Sequence, residues 1–224
     1  MLFYKLEFST PKYNKGFTLA ETLIALVIIG VIATMTVPSL LNKTQNKENS
    51  TRVKKAYSVL QNSMHKIAMD EGYAQGDYSF VEDSNSFFDA FEKTVNTLQR
   101  CKGSNKCFVT SIHKLNGGND SIHANTNALI TTDGMAYTFS YNYGNTTQFG
   151  VASEDLDKFM GRFWVDVNAN KKPQVIGRDL FAFVLIQGKG ILPAGYGNNG
   201  ANCTKNSTGY DCTARVLKEG DINY

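Results

Sequence analysis

The 224 residues suffice for one sizeable domain or two small ones, and a composition 42% hydrophobic and 19% charged allows a buried core. Lys+Arg 23 against Asp+Glu 20 leaves +3, too small a surplus to mark a nucleic-acid binder, while only 4 Pro and no polar low-complexity tract exclude wholesale disorder. With 14 Phe and 11 Tyr against 1 Trp, an aromatic core with strands is the expectation, and the information lies in how charge and hydropathy are distributed.

Residues 1–16 carry Lys5, Lys12 and Lys15 against Glu7, and Glu21 is then the only charge before Lys43. The uncharged run from Thr22 to Asn42 is 21 residues, about 31 Å as a helix, close to the hydrocarbon thickness of a bilayer. A basic flank ahead of the run places that flank on the cytoplasmic side. No small-x-small site follows the run, which argues against a secretory signal peptide. A plain signal anchor leaves Glu21 unexplained, because a carboxylate inside an apolar segment costs about 2.5–3.5 kcal/mol. Glu21 either snorkels to the interface or has a partner.

The segment Lys15-Gly16-Phe17-Thr18-Leu19-Ala20-Glu21 resembles the type III signal of type IV prepilins and type II secretion pseudopilins. The resemblance implies cleavage by prepilin peptidase between Gly16 and Phe17, N-methylation of Phe17, and an assembly role for Glu21, the fifth residue of the mature chain. Gly30 and Pro38 fall where pilins tend to place helix-weakening residues. The physics agrees: Gly costs roughly 1 kcal/mol of helix propensity relative to Ala, and Pro38 removes a hydrogen bond and crowds the carbonyl of Thr34. In a bundle of parallel helices, Glu21 of one subunit could pair with the Phe17 ammonium of a neighbour. An unpaired charge there is so costly that the pair sets register more than it adds stability.

Beyond Lys43 the pattern becomes amphipathic. Val53, Tyr57, Leu60, Met64 and Ile67 follow a 4-3-4-3 spacing, so one helix is expected from about Phe17 to Glu71, stopped by Gly72. The expected divisions are a leader (1–16), a membrane and assembly half-helix (17–42), an amphipathic half-helix (43–72) and a head (73–224). Within the head, the spacing of Phe87, Phe88, Phe91, Val95 and Leu98 predicts a helix over Ser86–Gln99. Strands are expected at Ala128–Thr132 and Met135–Tyr141 around the Asp133-Gly134 turn, then at Phe163–Val167, Leu180–Gln187 and Ile191–Leu192. The fold class is α+β and pilin-like: a long N-terminal helix packed on an antiparallel sheet.

Cys101 and Cys107, and Cys203 and Cys212, form two local pairs whose spacings of six and nine match no zinc knuckle. In a head carried across a membrane, as the resemblance implies, disulfides within each pair are expected. Asp166, Asn168 and Asn170 alternate oxygen ligands as a calcium loop does, with Asp179 able to close the site, although Lys171 stands where an EF-hand keeps glycine. Calcium is the one cofactor this raises; the competing reading is a polar turn. Gly195-Tyr-Gly197-Asn-Asn-Gly200 fits the dinucleotide fingerprint in letters, but no helix is expected after it. His65, His113 and His123 are isolated, Glu154, Asp155 and Asp157 read as a solvated face or a helix start, and no catalytic motif is present, so no enzyme is expected. Lys43, Lys47, Arg52, Lys54 and Lys55 make a modest basic patch that reads as interfacial anchoring, and nucleic acid is not an expected partner.

The resemblance therefore implies a pilin or pseudopilin, a structural subunit of a type IV pilus or type II secretion pseudopilus. Its partners would be prepilin peptidase, other pilin or pseudopilin subunits, the inner-membrane assembly platform and the membrane. It would lie in the bacterial inner membrane, single-pass with its head outside the cytoplasm, and then in the filament. The alternative is a minor pilin whose tethered head binds DNA or a surface.

Overall fold

The computed structural model describes residues 16–102, 107–108, 111–121, 127–141, 146–169 and 171–224. Helix α1 runs from Leu19 to Asp70 without a break and passes through Pro38. The chain divides within it into two compact units, residues 1–43 and 44–224.

In the first unit the apolar side chains of α1 point outward all round: Leu26, Val27 and Met35 are 66%, 65% and 75% exposed. A helix apolar on every side needs an apolar surround, and this one is long and apolar enough to cross a membrane.

In the second unit α1 keeps one buried stripe, Val53, Ala56, Leu60, Met64 and Ile67. Ala56 rather than Tyr57 lies at its centre; Tyr57 is half-buried and stacks on Phe183 at 5.8 Å between ring centroids. The stripe packs on a six-stranded antiparallel sheet in the order β1-β4-β5-β6-β7-β8. These strands are Thr97–Cys101, Ala128–Thr131, Ala136–Tyr141, Phe159–Asp166, Leu180–Ile186 and Gly190–Pro193. A separate hairpin pairs β2 (Ser111–His113) with β3 (Asn119–Ser121).

Central strand β7 shows why the sheet has two cores. Phe181, Phe183 and Leu185 face α1, while Leu180, Ala182, Val184 and Ile186 face the other side. Side chains alternate across a strand, so a run that is apolar at every position must be covered on both faces. The second face is covered by loops carrying Phe149, Ile176, Ala194 and Tyr210, and by Phe108 and Ile112.

Helix α2 spans Ser84–Glu92 rather than reaching Gln99. Asp83 caps it by accepting from the backbone of Asn85 and Ser86, and the Thr94 hydroxyl takes up the Phe91 carbonyl at 2.7 Å. β-Branched Thr94, Val95 and Thr97 weaken a continued helix, and Thr97–Cys101 instead becomes the edge strand beside β4. Leu98, expected on a buried helical face, is 70% exposed there. The phenylalanines of α2 are buried as expected; Phe87 lies 4.5 Å from Phe139 and Phe91 lies 5.1 Å from Phe163 between ring centroids.

A third helix, α3 (Cys212–Glu219), follows the polar stretch after the glycine-rich loop, and no element was expected there from periodicity. Val216 buries it against the α1 side of the sheet, and Gly220 ends it in the left-handed conformation. The carbonyl of Gly220 accepts from Ser50 Oγ at 2.8 Å and Lys47 Nζ at 3.1 Å, joining the chain end to α1.

Candidate functional site

The N-terminus of α1 is closed by its own side chains. Thr18 is the residue before the helix, and Glu21 Oε2 accepts from the Thr18 backbone N–H and hydroxyl, both at 2.8 Å. The Glu21 N–H donates in return to Thr18 Oγ1 at 3.2 Å. This is a reciprocal capping box, satisfying two donors that a helix start leaves orphaned. Sequence reasoning treated Glu21 only as a charge seeking a partner; the Thr-x-x-Glu spacing was the available signal for the cap. Gly16 and Phe17 precede it and are exposed, so the bond between them is accessible to solvent.

Among the described residues, no atom outside the local helix backbone lies within 4 Å of where a Cβ on Gly30 would stand, so no packing contact there calls for glycine. Thr34 and Thr36 turn their hydroxyls back onto the carbonyls of Val31 and Ile32, at 2.8 and 3.0 Å. Such back-bonding supplies carbonyls with an alternative donor in the stretch that Gly30 and Pro38 already weaken.

Cys101 is bonded to Cys107, and Cys203 to Cys212. The second bridge ties the first residue of α3 to the glycine-rich loop. Within that loop Tyr196–Asn198 forms a single 3-10 turn with no helix following, so the dinucleotide fingerprint is a coincidence of letters. Its first glycine has a packing reason: a Cβ on Gly195 would stand 2.1 Å from the Asp211 carbonyl oxygen.

Of the four expected cation ligands, Asp166, Asn168 and Asp179 are buried together between β6 and β7, while Asn170 lies outside the described residues. Asp179 is spent on structure. Its Oδ2 accepts from the backbone of Gln174 at 2.7 Å and Val175 at 3.3 Å, and its Oδ1 from Asn49 Nδ2 of α1 at 3.3 Å. Burial pushes the Asp179 carboxyl up to about 6 against those backbone donors, with neighbouring Asp166 adding to the rise. Among the described residues, no three His, Cys, Asp or Glu side chains converge as a metal cluster would.

Asp155, expected on a solvated face or at a helix start, lies in the first turn of the 3-10 segment Ser153–Lys158 but is fully buried rather than solvated. Its Oδ2 accepts from Lys189 Nζ at 2.6 Å and Tyr196 Oη at 2.7 Å, and Lys158 Nζ lies 3.8 Å from Oδ1. Lys189, then Tyr196, hold this carboxyl below the usual range. The partners are 34 and 41 residues away, so no local pattern could show the contact.

The basic patch is partly absorbed by the head. Arg52 pairs with Glu48 at 2.9 Å and donates to the Val167 carbonyl, while Lys55 pairs with Asp133 at 2.7 Å. His65 contacts Gln75, His113 lies on β2, and His123 is outside the described residues.

The geometry defines a membrane-type helix with an accessible Gly-Phe bond at its capped start, continuing into an α+β head. Residues 11–37 match the family model described as the prokaryotic N-terminal methylation motif, so the chain carries the type IV prepilin-type signal. That signal implies processing by prepilin peptidase and assembly with other pilins, and together with the apolar helix it supports membrane anchoring. Comparison with curated proteins gives no match, and neither does comparison with solved structures.

Proposed function

We propose that this chain is a structural subunit of a type IV pilus or type II secretion pseudopilus, cut between Gly16 and Phe17 and methylated on Phe17. The observation that carries the reading is the methylation motif over residues 11–37, lying at the start of a helix whose first half has no apolar cover of its own. Cleavage after Gly16 leaves that helix on the product and creates an α-ammonium at Phe17, one turn from Glu21. In the filament the apolar halves of neighbouring helices cover one another, and Glu21 pairs with a neighbour's ammonium. The two disulfides support a head outside the cytoplasm, where such bonds persist.

Replacing Glu21 with Val tests the assembly role. The expected result is normal removal of residues 1–16 with loss of filament assembly in a peptidase-bearing host. Unimpaired assembly of Glu21→Val would remove Glu21 from the mechanism, and a chain that works without assembling at all would overturn the filament reading.

A further inference from the structure

Folding sorts the charge of the head toward its two ends. Residues 44–224 hold 19 Lys and Arg against 18 Asp and Glu, so the head as a whole is nearly neutral. Where α1 enters it, Arg52 pairs with Glu48 and Lys55 with Asp133. Lys47 and Lys54 remain exposed there, and the segment before β7 adds exposed Lys171 and Lys172 and half-buried Arg178. That segment is held against the entering turns of α1. Asn49 donates to the Arg178 carbonyl at 3.0 Å and to Asp179 at 3.3 Å, and Arg178 itself donates to Asn46 Oδ1 at 3.5 Å. Asp179 accepts from the Gln174 backbone, and Gln174 reaches the Lys171 carbonyl at 2.7 Å. Among the described residues, none of these five cations takes part in an ion pair. The carboxylates nearby are otherwise engaged: Asp166 and Asp179 are buried, Glu219 pairs with Arg215, and Asp221 accepts from the Ile222 N–H.

The other end has the opposite sign. From Asp70 to Asp83 the chain carries five carboxylates and no Lys or Arg, and Asp70, Glu71, Glu82 and Asp83 are exposed. Asp77 of this stretch accepts from Gln187, just past the end of β7, whereas Arg178 lies just before its start. The seven residues of β7 set the two ends about 20 Å apart. That exceeds the Debye length of about 8 Å at physiological salt, so the acidic end does not cancel the field of the basic one.

We propose that the basic end, formed by Lys47, Lys54, Lys171, Lys172 and Arg178, docks on the anionic phospholipid headgroups of the membrane in which α1 is anchored. The charges are complementary, and the chain reaches this end from the half of α1 that is apolar on every side. The same surface repels the acidic end, so the contact orients the unassembled head as well as holding it. The inference rests on anchoring through α1 and not on assembly into a filament.

The test places the full chain, one copy per disc, in lipid nanodiscs that carry a dansyl-labelled headgroup. Trp164 is the single tryptophan and lies in the head, so energy transfer to dansyl reads how close the head stands to the bilayer. The expected result is that phosphatidylglycerol, replacing part of a phosphatidylcholine bilayer, raises the transfer and that molar salt reverses the rise. Each Lys or Arg near an anionic surface multiplies occupancy about fivefold, so Lys171→Glu with Lys172→Glu should weaken docking at least tenfold. Lys66→Glu with Lys93→Glu, equal in charge and away from this end, should leave it unchanged; circular dichroism checks the folding of both variants. No rise with phosphatidylglycerol, or equal loss in both variants, overturns the proposal. So does displacement by millimolar inorganic phosphate at constant ionic strength, the mark of a discrete phosphate site. A rise seen only with two copies per disc would assign the basic end to a second copy and overturn it too. A chain that fails to stay with neutral discs would overturn the anchoring itself, whereas loss of the lipid response alone leaves anchoring intact.

Discussion

Truncating Leu60 to alanine isolates the contact on which the head depends. Leu60 is completely buried on α1, within the core formed by α1, α2 and the sheet. Three carbons are lost at about 0.8 kcal/mol each, or about 2.4 kcal/mol of transfer free energy. The cavity left in that aromatic-rich core adds about 1–2 kcal/mol, because the surroundings collapse only partly. The expected loss is about 3–4 kcal/mol, or roughly 10 °C in Tm for a unit of this size. Met69→Ala serves as the control, since Met69 is on the same helix but 75% exposed, and its effect should stay within about 0.5 kcal/mol. Urea unfolding of the full chain in micelles, followed through Trp164 fluorescence, reads both values. A Leu60→Ala effect below about 1 kcal/mol, or one equal to that of Met69→Ala, would refute the packing of α1 on the sheet.

Asp155 gives the head an acid-sensitive contact. Its carboxyl is held below the usual range by Lys189 and Tyr196, so its stabilisation is present above the unfolded pKa of about 3.9 and is lost as pH falls through the folded value. Asp155→Asn should therefore lower Tm at pH 7, and the gap to wild type should narrow as pH falls below the unfolded value; a gap independent of pH would contradict the assignment. Removing the second disulfide with Cys203→Ser and Cys212→Ser should cost about 2.5 kcal/mol, from the entropy of a loop of about ten residues. Unfolding of the double variant beside the wild type checks this, and equal stability would show that the bridge does not constrain the unfolded chain.

The long-range order of the fold was legible wherever a pattern repeats. The apolar run after Glu21, the stripe through Leu60 and the Asp133-Gly134 turn each follow a local period that a packed structure has little reason to override. Where two local signals disagreed, tertiary pairing decided. Val95 and Leu98 continue a helical spacing, but their β-branched neighbours accept a strand when β4 offers an unpaired edge. Helix α3 is eight residues long, too short to be stable without Val216 in the core, and its pattern was masked by the polar disulfide loop before it. The Gly220 ending was its visible mark. The site residues divided in the same way. Glu21 and the oxygens of Asp166 and Asn168 stand out by residue type, whereas the burial of Asp155 depends on segments that meet only on folding. Asp179 carried a visible charge, but its partner on α1, Asn49, is 130 residues away.

The most direct test of the central claim is the intact mass and N-terminal sequence of the chain recovered from membranes of cells with and without prepilin peptidase. With the peptidase, the account predicts loss of residues 1–16 and an N-terminus of Phe17 carrying one added methyl group; without it, the leader is retained. A mature chain beginning at any other residue, or an uncut chain in the presence of the active peptidase, would contradict it.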